Sequence, residues 1–166
     1  MSWQEDLAEA LAGAGVEAAA WVPDKRLDPI ARELTDRGVP LRTLTREEEC
    51  IAWASGYRAA GGSPAVLFQC SGLGNALNAL GSLAIPYGYG FPLVVSMRGS
   101  LGERNPAQLP LGRATPALLR ALGLEPYSLR RPADAGLVAR GAVDVADGAR
   151  RVADVAFTAG RAPPRG

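Results

Sequence analysis

The chain has 166 residues, 48% hydrophobic and 21% charged, which suits one domain with its own core. Its net charge is +1, with 18 Lys and Arg interspersed among 17 Asp and Glu, so the basic patch of a nucleic-acid or membrane-surface binder is missing. It has no histidine and two cysteines, which excludes Ser-His-Asp and Cys-His catalysis within the chain and leaves no set of metal ligands for zinc.

Residues 1–15 read as an amphipathic helix with Leu7, Leu11 and Ala14 on one face, and lack the basic region and apolar run of a secretory signal. A short buried strand is expected at 18–22, ended by Pro23, and Leu27, Ile30, Ala31 and Leu34 mark a second helix that stops at Gly38 and Pro40. Residues 39–44 read as the next strand, and Thr45 as the N-cap of a helix opened by three glutamates and running to about Ala60. After the breakers Gly61, Gly62 and Pro64 comes a strongly apolar strand at 65–69, then a glycine-rich turn from Ser71 into a helix reaching about Ile85. Another strand spans 92–97, and 98–111, rich in Gly and Pro, is a functional loop on length alone. Residues 115–122 and about 133–159 read as helices with a short strand at 127–129 between them.

This alternation predicts an α/β fold: one three-layer domain with a mostly parallel sheet over residues 1–160, followed by a frayed tail at 161–166. No stretch is apolar for the roughly 20 residues a membrane helix needs, and Cys50 and Cys70 suit reduced thiols, so a soluble cytoplasmic protein is expected.

Three constellations can carry chemistry. Ser71-Gly72-Leu73-Gly74-Asn75 joins a buried strand to a helix, where unpaired N–H groups meet a ligand, but it lacks the third glycine of a dinucleotide motif and the Gly-Lys-Ser/Thr of a phosphate loop. Arg46-Glu47-Glu48-Glu49 opens a helix made slim by Ala52, Ala54, Ser55 and Gly56, which lets another backbone or a flat cofactor come close. The loop from Arg98 to Gln108 directly follows a strand, where ligands of open parallel sheets bind.

Together with Val22-Pro23-Asp24, Asn78 and Ser82-Leu83, these motifs resemble the alpha subunits of sulfopyruvate decarboxylase and the matching half of phosphonopyruvate decarboxylase, over residues 22 to about 112. The resemblance implies the pyrimidine-binding domain of a thiamine-diphosphate enzyme acting on a small 2-oxo acid. Glu47 is then the catalytic carboxyl group that hydrogen-bonds the pyrimidine, and Pro23, Gly72, Leu73, Gly74 and Asn75 are cofactor-binding with it. Asp24, Lys25 and Arg98 fall at the substrate, where two cations would favour a phosphonate or sulfonate. Lys25, Cys70 and Met97 stand where the family usually carries serine, asparagine and tryptophan.

No Gly-Asp-Gly occurs in the chain. The resemblance therefore implies a partner: a diphosphate-binding beta subunit with Gly-Asp-Gly and a downstream Asn, holding Mg2+, in an α2β2 or larger heteromer. A thiamine-dependent carboligase subunit of the acetolactate-synthase kind and a non-catalytic scaffold subunit are the competing readings.

Overall fold

A computed structural model describes residues 2–100 and 102–158; the expected frayed tail lies outside the described residues. Six helices, α1 (Trp3–Gly13), α2 (Asp28–Asp36), α3 (Glu47–Ala59), α4 (Leu73–Ala79), α5 (Leu109–Ala121) and α6 (Ala135–Gly148), alternate with strands. The strands are β1 (Ala18–Trp21), β2 (Leu41–Thr43), β3 (Pro64–Gln69), β4 (Pro92–Met97), β5 (Tyr127–Leu129) and β6 (Ala153–Thr158). They form one sheet in the order β2-β1-β3-β4-β6-β5, and every pairing is parallel.

Sheets of this kind need both faces covered. Leu7 and Leu11 of α1, Ile30 and Leu34 of α2 and Val143 of α6 pack with Leu67, Val94 and Phe157 on one face. Ile51 of α3, Leu73 and Ala76 of α4 and Leu119 of α5 pack with Val66, Phe68 and Val95 on the other. The three layers are as expected, and the sheet is fully parallel.

Two boundaries differ near the site. Arg46, in extended backbone, takes the N-cap position of α3 instead of Thr45. Thr45 nonetheless serves the same end, because the Glu49 carboxylate turns back to accept from the Thr45 N–H, the Thr45 hydroxyl and the Arg46 N–H, at 3.1, 2.9 and 3.1 Å. The loop after β4 is shorter than 98–111: a 3₁₀ turn at Pro106–Gln108 leads straight into α5. Pro106 and Pro110 sit in first-turn positions, where a missing N–H costs nothing.

The larger correction concerns 133–159, which is not one helix. A 3₁₀ turn at Pro132–Asp134 precedes α6, which ends at Gly148, and Arg150 adopts a left-handed φ of 54°. The chain then enters the sheet as β6 between β4 and β5. Ala153 to Phe157 are buried throughout, and a short run buried on both faces has no alternation to separate it from a buried helix.

The connections part at three places along the carboxyl edge of the sheet. After β1 the chain passes to α2 on one face, and after its two neighbours β2 and β3 to α3 and α4 on the other. Likewise β4 is followed by α5 on one face and β5 by α6 on the opposite one, with β6 between them. Such reversals leave crevices in which ligands of open sheets bind.

Candidate active site

Glu47 is the first residue of α3, where the helix dipole favours a carboxylate. Asn75, in the first turn of α4, donates from Nδ2 to Glu47 Oε2 at 3.0 Å. Among the described residues Oε1 accepts no hydrogen bond. Gly72 lies against this carboxyl group so closely that a Cβ there would overlap it. The Ser71-Gly72-Leu73-Gly74-Asn75 turn is therefore more than a sharp connection: its glycine makes room for the carboxyl group and its asparagine holds one oxygen. Glu48 and Glu49 are spent otherwise, on the Arg46 guanidinium and on the Thr45–Arg46 backbone. The Arg46 hydrogen bond holds the Glu48 carboxyl below its ordinary pKa, and the Thr45 hydroxyl does the same for Glu49.

At the neighbouring crevice, Asp24 follows β1 and is saturated. Its Oδ2 accepts from Gln69 Nε2 at 2.6 Å, and its Oδ1 accepts from the Arg26 N–H at 3.0 Å and the Ser96 hydroxyl at 3.1 Å. Ser71 Oγ in turn donates to Gln69 Oε1 at 2.7 Å, so one polar chain crosses the tops of β1, β3 and β4 and ends on the glycine turn. Arg26 Nη1 donates to the Met97 carbonyl at 2.7 Å. Gln69 heads the motif that carries the family resemblance but has no role in the sequence reading, and Ser96 escaped it, because a Gln and a Ser at strand ends carry no local signal; their meaning lies in the parallel register that sets β3 beside β1 and β4.

The remaining predicted site residues divide. Pro23 and Lys25 are exposed at the end of β1, and Gly74 and Asn75 are exposed in the first turn of α4. The Leu73 side chain is fully buried in the core, which leaves only its backbone to face a ligand. Arg98 lies at the end of β4 as expected, but its guanidinium makes a two-pronged pair with Glu103 at 2.7 and 2.8 Å. That pair holds the Glu103 carboxyl down to about 2. Cys70 accepts the Arg98 N–H at Sγ, 3.2 Å away, and burial raises its thiol, as burial pushes Cys50 up to about 12. Neither cysteine is a thiolate nucleophile.

The arrangement offers a carboxyl group with one oxygen fixed and one open, beside an exposed turn of small residues, and no group of His, Cys, Asp and Glu among the described residues that could hold a metal. A flat heteroaromatic ring with a basic nitrogen fits it.

Comparison with known proteins shows the family. The family described as "Thiamine pyrophosphate enzyme, N-terminal TPP binding domain" matches residues 1–103. Sulfopyruvate decarboxylase subunit alpha of Methanothermobacter thermautotrophicus is 40% identical over 123 residues, 74% of each chain, and that of Methanococcus maripaludis 35% over 136 residues, 81% of each. Phosphonopyruvate decarboxylase of Streptomyces viridochromogenes is 38% identical over 122 residues, which is 72% of this chain and 31% of that one. A 2-oxoglutarate:ferredoxin oxidoreductase from Magnetococcus marinus superposes with a TM-score of 0.76 at 18% identity, over 95% of this chain and 29% of that one, which shows the shared fold. The relatives that share 35–40% identity are decarboxylases and subunits of decarboxylases, against the carboligase and scaffold readings. The chain belongs to the thiamine pyrophosphate enzymes, as a TPP-binding domain of the kind found in sulfopyruvate decarboxylase alpha subunits.

Proposed function

We propose that this chain is the pyrimidine-binding subunit of a heteromeric 2-oxo-acid decarboxylase, with Glu47 as its proton-exchanging group. The observation that carries the reading is the Glu47–Asn75–Gly72 contact, which leaves a single carboxyl oxygen, Oε1, open beside the exposed turn. With the cofactor bound, Glu47 would share a proton with the pyrimidine nitrogen, through Oε1 because Asn75 occupies Oε2. The backbone of residues 72–75 and Pro23 would hold the ring. When bound, thiamine diphosphate supplies the electron sink for loss of carbon dioxide.

A second chain, with Gly-Asp-Gly and a downstream Asn, holds Mg2+ and the diphosphate, in an assembly of α2β2 or larger. The relatives named "subunit alpha" support a partner of this kind. The substrate is a small 2-oxo acid with a second anionic group, met by the exposed Lys25 and by what the Arg98 guanidinium retains beyond its pair with Glu103. Asp24 orders this end of the pocket through Gln69 and Ser96.

Glu47→Gln tests the reading. With its partner present, the variant should lose at least about 10²-fold in kcat, the usual minimum for a positioned acid or base, while folding and assembling normally. Glu48→Gln and Glu49→Gln should retain most activity. Hydrogen–deuterium exchange at C2 of bound cofactor isolates the step; exchange in Glu47→Gln as fast as in the parent protein would move the role to another residue.

A further inference from the structure

The crevice bounded by β4, β6 and β5 lies beside the one that holds Asp24 and shares Arg26, Met97 and Arg98 with it, but it carries three further arginines that the chemistry above does not use. A cleft of about 1240 Å³ opens there between the 98–105 loop, α5 and β5, and none of Glu47, Gly72 or Asn75 reaches it. Five arginines line it against two glutamates, Glu103 and Glu125. Two of the arginines are engaged, Arg98 by Glu103 and Arg26 by the Met97 carbonyl. The other three, Arg104, Arg120 and Arg130, are exposed and have no ion-pair or hydrogen-bond partner among the described residues.

Each of the three comes from a different element: the loop after β4, the end of α5, and the residue after β5. Charges gathered on one concave wall from separate elements raise the local potential more than the same charges spread over a convex surface. Guanidinium groups match carboxylate, phosphate and sulfonate oxygens in pairs. Ser128, paired in register with Ala156 on the floor of the cleft, adds a hydroxyl. The net excess, three free guanidiniums against Glu125, calls for a ligand with at least two negative charges. The volume suits a small molecule with its water and exceeds what a single inorganic ion fills.

We infer that this cleft is a second ligand site, for a small organic polyanion bearing carboxylate, phosphate or sulfonate groups, and distinct from the Glu47 site. Residues 102–104 and Arg98 form one wall of the cleft, so occupancy bears directly on the residue that borders the proposed substrate.

Titration of the full chain with inorganic diphosphate, at ionic strength held constant with potassium chloride, tests the inference by calorimetry and by amide chemical shifts. Saturable binding is expected, with shifts centred on Thr115, Arg120 and Ser128. The double substitution Arg120→Ala and Arg130→Ala removes exposed side chains and should weaken binding roughly tenfold or more, in line with the loss of charged hydrogen bonds. Lys25→Ala, at the proposed substrate end and outside this cleft, should leave the affinity unchanged, which separates this site from the one proposed above. No saturable binding at matched ionic strength would overturn the inference, as would shifts confined to the Glu47 turn or affinity retained in the double variant. The shift map on the unmodified chain decides the matter should that variant fail to fold. Loss of diphosphate binding in the complete heteromer, with the partner subunit seated over these arginines, would reassign the cleft to a protein interface.

Discussion

Gly72 shows how much of the site depends on an atom that is not there. Its φ of −84° is open to any residue, so the glycine is not required by backbone conformation. It is required by the Glu47 carboxyl group, which occupies the space of the missing Cβ. Gly72→Ala should therefore fold, with a stability loss of about 1–3 kcal/mol from local overpacking, and should displace Glu47 from Asn75. Steady-state kinetics of the assembled enzyme should show a fall in kcat approaching that of Glu47→Gln, and Gly72→Ala activity equal to the parent's would mean that the carboxyl group works from another rotamer. The resemblance to the decarboxylase subunits brought Glu47, Gly72 and Asn75 under suspicion, because local pattern alone reads the three glutamates as a solvated helix start and the glycine turn as a sharp connection. It could not separate Gly72, which shapes the site, from Leu73, which fills the core. Nor could it show that Arg98 faces its own carboxylate, Glu103, since that pairing depends on the path of a loop.

Among the elements, β6 was the least legible and has the most distinctive energetics. Helices α1 to α4 and strands β1 to β4 announce themselves by periodicity and by Gly and Pro breaks, whereas β6 is a buried run preceded by a helical pattern in phase with it. It also buries Asp154, 1% exposed, with neither carboxylate oxygen hydrogen-bonded among the described residues. Burial pushes this carboxyl from 3.8 up to about 7. Between those values the unfolded chain has released a proton that the folded chain still holds, so stability falls as pH rises from about 4 to about 7 and then levels. The full loss is on the order of 4 kcal/mol. Glu103 acts with the opposite sign: its pKa is held down to about 2, so its contribution is present above pH 4.5 and is lost as pH falls toward 2. Urea denaturation across pH should therefore place greatest stability near pH 4 to 5, and Asp154→Asn should flatten the decline above it. A parent protein as stable at pH 8 as at pH 5 would show that Asp154 has a partner or water access.

For the whole molecule, an unpacked glycine marks the face on which the proposed partner can be tested. Gly56 sits in the body of α3, exposed, in ordinary helical backbone, and a Cβ added there would touch nothing within 4 Å. Within this chain it is only a cost, about 1 kcal/mol of helix propensity relative to alanine. Ala52, one turn earlier, is exposed too, and Gly74, Asn78 and Gly81 expose small residues along α4 and the turn of π-helix that follows it. The α3 and α4 segments pack side by side, and Glu47 and Asn75 stand at their first turns, so these slim surfaces flank the proposed proton-exchanging group. If the partner completes the site at Glu47, as proposed, it approaches along them, and small residues permit backbone-close contact that larger side chains would prevent. Gly56→Leu separates the two roles. The isolated chain should become more stable by up to about 1 kcal/mol, read as a higher Tm, because the helix gains propensity and nothing clashes. Mixed with its partner, the same variant should fail to co-elute on size exclusion and should show no decarboxylation, although every residue of the Glu47 site is intact. Stabilisation together with normal assembly would place the partner on a different face of the molecule.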